Sequence, residues 1–135
     1  QIYAAMVESV AFGTRQVVDS FSEAGISVDY LCFHGGIASN GFWLRTTANV
    51  LGRPIFSIGS ENLTLVGTAA AAAVGLGRFQ TFADAAGMFQ PTIETVEPDL
   101  THHEALVERF EIYQQAKVSN QNLFRSLPTA NRGQR

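Results

Sequence analysis

With 135 residues, 46% of them apolar and 16% charged, the chain has the size and balance of one globular domain with a buried core. A net charge of −3, with no basic stripe in either half, excludes a nucleic-acid surface. One cysteine, Cys32, excludes an internal disulfide and suits a reducing, cytoplasmic setting.

The first predicted element is a long helix. From Ile2 to Phe21, apolar or small residues recur at Ile2, Met6, Val10, Gly13, Val17 and Phe21, which marks one helical face. A second stripe, Val7, Ala11 and Val18, predicts cover by two neighbours, and Gly25 is the expected stop. The chain opens inside this helix with no signal-peptide pattern, so it is expected to be part of a longer polypeptide. Val28 to Phe33 then reads as a buried strand in which Cys32 is a small hydrophobe. Gly41 to Leu51 reads as a helix closed by Gly52, and Pro54 to Ile58 as a second short strand.

Ser60 and Glu61 open a helix expected from Leu63 to about Val74. Its Gly67 and the run Ala69 to Ala73 carry almost no side-chain bulk, which predicts tight packing against another helix. The longest weakly polar run, Leu63 to Gly77, has 15 residues and is too short to cross a membrane. Thr81 is expected to cap a short helix through Met88 and Phe89, ended by Pro91. An extended segment, Thr92 to Val96, follows. Thr101 and Glu104 have the spacing of a capping box ahead of a last long helix with apolar Leu106, Phe110 and Tyr113 and, less regularly, Val118 and Phe124. The domain is expected to span residues 1–125, with 126–135 a disordered polar tail. Two strands joined through a helix predict a parallel βαβ unit, and two strands are too few for a stable sheet. Further strands are therefore expected upstream or from a partner.

The turn His34-Gly35-Gly36-Ile37-Ala38-Ser39-Asn40 is the strongest candidate site. Adjacent glycines between a strand and a helix let a ligand approach backbone that carries no Cβ. The free N–H groups of the helix start near Asn40 then offer a place for negative charge. Other chemistry is missing: there is no G-x-x-x-x-G-K-[ST], no G-x-G-x-x-G after the first strand, and no metal-ligand spacing of Cys and His. His102, His103 and Glu104 read as a solvated first helical turn, and His34 as a structural strand-end histidine. No catalytic residue and no metal ligand is assigned.

The surroundings of the turn resemble the FGGY carbohydrate kinases, from about Ala4 to Tyr113. Ala5-Met6-Val7-Glu8-Ser9-Val10-Ala11-Phe12 is similar to the family's A-x-x-E-G-I-A-F helix, and Gly35 to Asn40 to its D-G-G-x-x-x-N loop. Ala48-Asn49-Val50-Leu51-Gly52-Arg53-Pro54-Ile55 resembles A-D-V-L-G-x-P-V, while Glu61 with Thr64 to Ala70 resembles E-x-T-A-L-G-A-A. The resemblance implies an α/β fold, a helix-rich partial lobe of the ribonuclease-H-like, actin-like ATPase kind. It implies ATP and Mg²⁺ as cofactors and a small sugar or polyol as acceptor. This chain would supply part of the ATP site through Gly35, Gly36 and Asn40. The catalytic aspartate would lie in a missing N-terminal lobe, so the chain alone is expected to be inactive, and its exposed apolar faces make it prone to self-association.

The chain departs from the family at three positions: His34 replaces the usual Asp, Arg45 a frequent Gln, and Asn49 the Asp of A-D-V. The two missing acids remove carboxylates that a Mg²⁺-organising role at these positions would need. Two other readings stay open on the residues alone. One is an actin- or chaperone-like ATPase of the same superfold, against which the Ala5–Phe12 helix counts. The other is a non-catalytic α/β interaction domain, which the three departures favour.

Overall fold

A computed structural model describes residues 1–59, 62–88 and 92–126, with side chains as far as Gln121. Residues 127–135 of the expected tail, the Ser60–Glu61 helix start, Phe89, Pro91 and the side chain of Phe124 lie outside what is described, while Ser126, expected in the tail, is the last residue of the final helix.

Helix α1 runs from Ile2 to Glu23 and helix α2 from Gly41 to Leu51, both close to the sequence reading. Gly52 closes α2 in the left-handed conformation at φ 64°, which glycine adopts without a Cβ penalty. Strand β1 is only Cys32–Phe33, much shorter than the predicted Val28–Phe33. The reason is local. The Arg53 guanidinium donates to the carbonyls of Val28 and Asp29 at 2.6 and 2.7 Å, taking acceptors that a neighbouring strand would otherwise use. Cys32 is exposed on this edge strand, not buried as expected.

Strand β2, Ile55–Ile58, pairs parallel with β1, as the βαβ reading required. The segment read only as extended is a third strand, β3 (Ile93–Val96), antiparallel to β2 with Ile55 opposite Val96 and Ile58 opposite Ile93. The sheet is therefore mixed, in the order β1-β2-β3, and reaches three strands without one from upstream. Between β2 and β3 come helices α3 (Leu63–Gly75) and α4 (Phe82–Ala86). The Thr81 hydroxyl accepts from the Asp84 N–H, as its cap role predicts, but α4 ends at Ala86, short of Met88. Among the described residues, nothing packs tightly on the small-residue face of α3: only Ala70 is buried, and a Cβ on Gly67 would meet none of them within 4 Å.

Helix α5, Leu100–Ser126, follows β3. Its cap is Asp99, whose carboxylate accepts from the N–H groups of Thr101 and His102 at 2.9 and 3.2 Å; Thr101 lies inside the helix. The capping box therefore does not form, because a better acceptor stands one residue before the helix.

Helix α2 is the central element. On one side Val50 joins Ala11 and Phe12 of α1 and Leu106 and Phe110 of α5, with Tyr113 against them. On the other, Leu44 and Ala48 meet Ile55 of β2, with Phe33 and Val96 packed on. Buried Thr46 and Thr47 return their hydroxyls to the carbonyls of Phe42 and Trp43, so neither is left unsatisfied. Arg15 binds the three helices at one point: its guanidinium lies 4.4 Å from the Phe110 ring centre and donates to the Val50 carbonyl.

One expectation about α1 is reversed. The buried residues are Val7, Ala11 and Val18, the stripe read as secondary, together with Phe12, which neither stripe included. The stripe read first is largely in solvent, with Met6 63% and Val17 56% exposed. Both stripes have helical spacing, and α2 and α5 reach only one of them.

Candidate nucleotide-binding site

The glycine turn is built by short-range bonds. His34 is extended, Gly35 to Ile37 make one 3-10 turn, and the Ala38 N–H closes it on the Gly35 carbonyl at 3.0 Å. Gly35 has φ 73°, a conformation that favours glycine. Buried Ser57 of β2 reaches the Ala38 carbonyl at 3.4 Å and holds the loop to the sheet. Asn40 then caps α2: its Oδ1 accepts from the Trp43 N–H at 3.1 Å.

Among the described residues, nothing fills the bend: a Cβ built on Gly35 or Gly36 would meet none of them within 4 Å. Both glycines face a cavity of about 400 Å³ whose near wall also holds His34 and Ser39. Asn62, Leu63 and Thr64, the start of α3, line it too, and Asn62 caps that helix by accepting from the Leu65 N–H. The helix start bordering the cavity is thus that of α3 and not, as read from the sequence, that of α2. The intervening 3-10 turn carries the chain away before α2 begins, and Asn40 is not among the lining residues. Its side chain turns to α1, where Nδ2 donates to the Tyr3 hydroxyl at 2.7 Å.

The structure brings Gly35 and Gly36 together on the cavity and sets Asn40 beside it, on the face shared with α1. His34 is exposed and makes no hydrogen bond to a described residue, so it is not the fixed structural histidine expected. Among the described residues, the cavity lining contains no carboxylate, and no three His, Cys, Asp or Glu cluster as metal ligands. The described lining residues do not by themselves fit a Mg²⁺ site. They do fit a ligand that needs close approach to backbone, since a Cβ at either glycine would narrow the opening.

A second groove of about 380 Å³ lies between α1, α2 and α5. There Arg109 holds Glu8 at 2.9 Å, Arg45 is exposed, and Asn49 ties α2 to α5 by accepting the Asp99 N–H at 2.8 Å. His103 donates from its ring to the Asn49 carbonyl at 2.7 Å, a packed role where a solvated turn was expected. Asp99 also meets the His102 ring at 2.8 Å, and His102, through ring and backbone N–H, holds the Asp99 carboxyl below its ordinary range. Sequence reading missed Tyr3, Ser57 and Asn62 at the candidate site. Asn62 ahead of an apolar helix was a legible cap signal. Tyr3, 37 positions from Asn40, carried none.

Residues 1–76 match the model of the C-terminal domain of the FGGY family of carbohydrate kinases. The chain belongs to that family. A ribulokinase from Anoxybacillus flavithermus is 40% identical over 79 residues, 58% of this chain and 14% of that protein. A ribulokinase from Vibrio parahaemolyticus is 32% identical over 116 residues, 84% of this chain and 20% of that protein. In fold, the crystal structure of xylulose kinase from Rhodospirillum rubrum overlays on 90% of this chain and 25% of its own, with a TM-score of 0.72 and 23% identity. The chain thus spans at most a quarter of the length of these relatives. Among the described residues, no helix is long and apolar enough to cross a membrane.

Proposed function

We propose that this chain supplies part of the nucleotide site of a cytoplasmic, ATP-dependent sugar or polyol kinase. That kinase has two ribonuclease-H-like, actin-like lobes, and this chain spans part of the second. Gly35 and Gly36 form the wall against which ATP rests, and Asn40 borders it. The single observation that carries the reading is the bend with no Cβ, open onto a cavity of about 400 Å³, in a chain of this family. The catalytic base comes from outside this chain, in the N-terminal lobe, and Mg²⁺ accompanies ATP; lobe closure excludes water that would compete with the acceptor hydroxyl.

The experiment uses the complete kinase polypeptide offered ATP with ribulose, xylulose or glycerol. Gly36→Val is expected to raise the KM for ATP about tenfold or more, by filling the opening. The melting temperature should hold, because the position has open space and no positive φ. An unchanged KM for ATP would remove the glycine wall from the nucleotide site. ADP formation independent of every acceptor would favour an ATPase switch over a kinase.

A further inference from the structure

We propose that His34 is a nucleotide-binding residue of the glycine-walled cavity, its imidazole donating a hydrogen bond to a phosphate oxygen of ATP. The proposal rests on the reading that this cavity takes the nucleotide. Strands β1 and β2 run parallel, so their carboxyl ends open on the same side of the sheet. In an open α/β sheet that is the side on which ligands bind. The cavity is built from the two segments that leave these strands, with His34 to Gly36 following β1 and Asn62 to Thr64 following β2. His34 is the first residue beyond Phe33 and so stands at the strand end itself.

Among the described lining residues, only His34 has an ionisable side chain, and none carries a negative charge. Asn62 is already committed, its side-chain oxygen taking the Leu65 N–H. His34 is not committed: it precedes the 3-10 turn without a side-chain bond to it, and its extended backbone, φ −142° and ψ 172°, is open to any residue. The fold therefore leaves the ring to a ligand. An imidazole offers one N–H donor when neutral and two when charged. Across the cavity, the N–H groups of Leu63 and Thr64 begin α3 and have no carbonyl partner inside that helix. Donors on both walls, with no carboxylate on the described lining, complement the anionic phosphates of ATP rather than its neutral base.

The test is calorimetry on the complete kinase polypeptide without acceptor, with ATP and adenosine as probes, for His34→Ala, His34→Gln and Gly36→Val. His34→Ala is expected to weaken ATP binding about 3- to 10-fold, in line with one hydrogen bond, and to leave adenosine affinity unchanged. His34→Gln keeps an N–H donor and should recover most of that loss. Both variants should melt with the parent, because the ring makes no side-chain cap bond. Equal losses of ATP and adenosine in His34→Ala overturn the phosphate contact, since the ring would then serve the base or ribose. A His34→Gln variant as weak as His34→Ala overturns the donor role. Wild-type ATP affinity in His34→Ala, with affinity lost in Gly36→Val, overturns the role of His34 and leaves the glycine wall standing. Wild-type ATP affinity in Gly36→Val overturns the placement of the nucleotide in this cavity and this proposal with it.

Discussion

Substituting Gly52 by Ala probes the joint between α2 and α5, and the structure sets the size of the effect. Gly52 has φ 64°, where an L residue costs about 1–2 kcal/mol. The added Cβ would also lie 2.6, 2.7 and 2.9 Å from three ring atoms of His103, too close for any real contact. The ring must move, and its hydrogen bond to the Asn49 carbonyl, 2.7 Å long, is lost at about 1 kcal/mol. The total is a destabilisation of about 2–3 kcal/mol, read by urea unfolding of the chain. The two costs are separable. His103→Ala removes the ring that collides, so the double variant should be more stable than the sum of the singles by about 1 kcal/mol, whereas unrelated sites would add. Additive losses, or a Gly52→Ala loss below about 0.5 kcal/mol, would refute the account of this joint.

Two further outcomes are expected. Phe110→Ala should cost about 3–5 kcal/mol in the same assay, because it empties the cluster around Phe12, Val50 and Leu106 and takes the ring from beneath Arg15; a loss under about 1 kcal/mol would mean that α5 does not close this core. The Asp99 carboxyl has a folded pKa below its unfolded value, so its contribution is present above about pH 4 and is lost as pH falls through the folded pKa. Asp99→Asn keeps a capping oxygen but does not titrate, so its melting temperature should fall less steeply on acidification than that of the parent; identical acid limbs would show that His102 does not hold this carboxylate.

The sequence by itself determined what depends on neighbours within one helical turn or one tight bend. The extent of α1 and α2, the left-handed stop at Gly52, the Thr81 cap and the open glycine bend at Gly35 and Gly36 all follow from local spacing and from the absence of a Cβ. The family motifs were legible for the same reason, being short and in order. What only the tertiary structure decided are choices between local equals. Two stripes of α1 had helical period, and the reach of α2 and α5 selected the one with Val7 and Ala11. Two acceptors stood at the start of α5, and Asp99 won by standing before the first turn. Arg53 shortened β1 by capturing two carbonyls 24 and 25 positions away, and β3 found its place only by pairing with β2. The glycine wall was visible from the chain, but the α3 start across the cavity and the Tyr3 bond to Asn40 were not. Contacts between distant segments depend on where the buried surfaces bring the elements, and no local spacing records that.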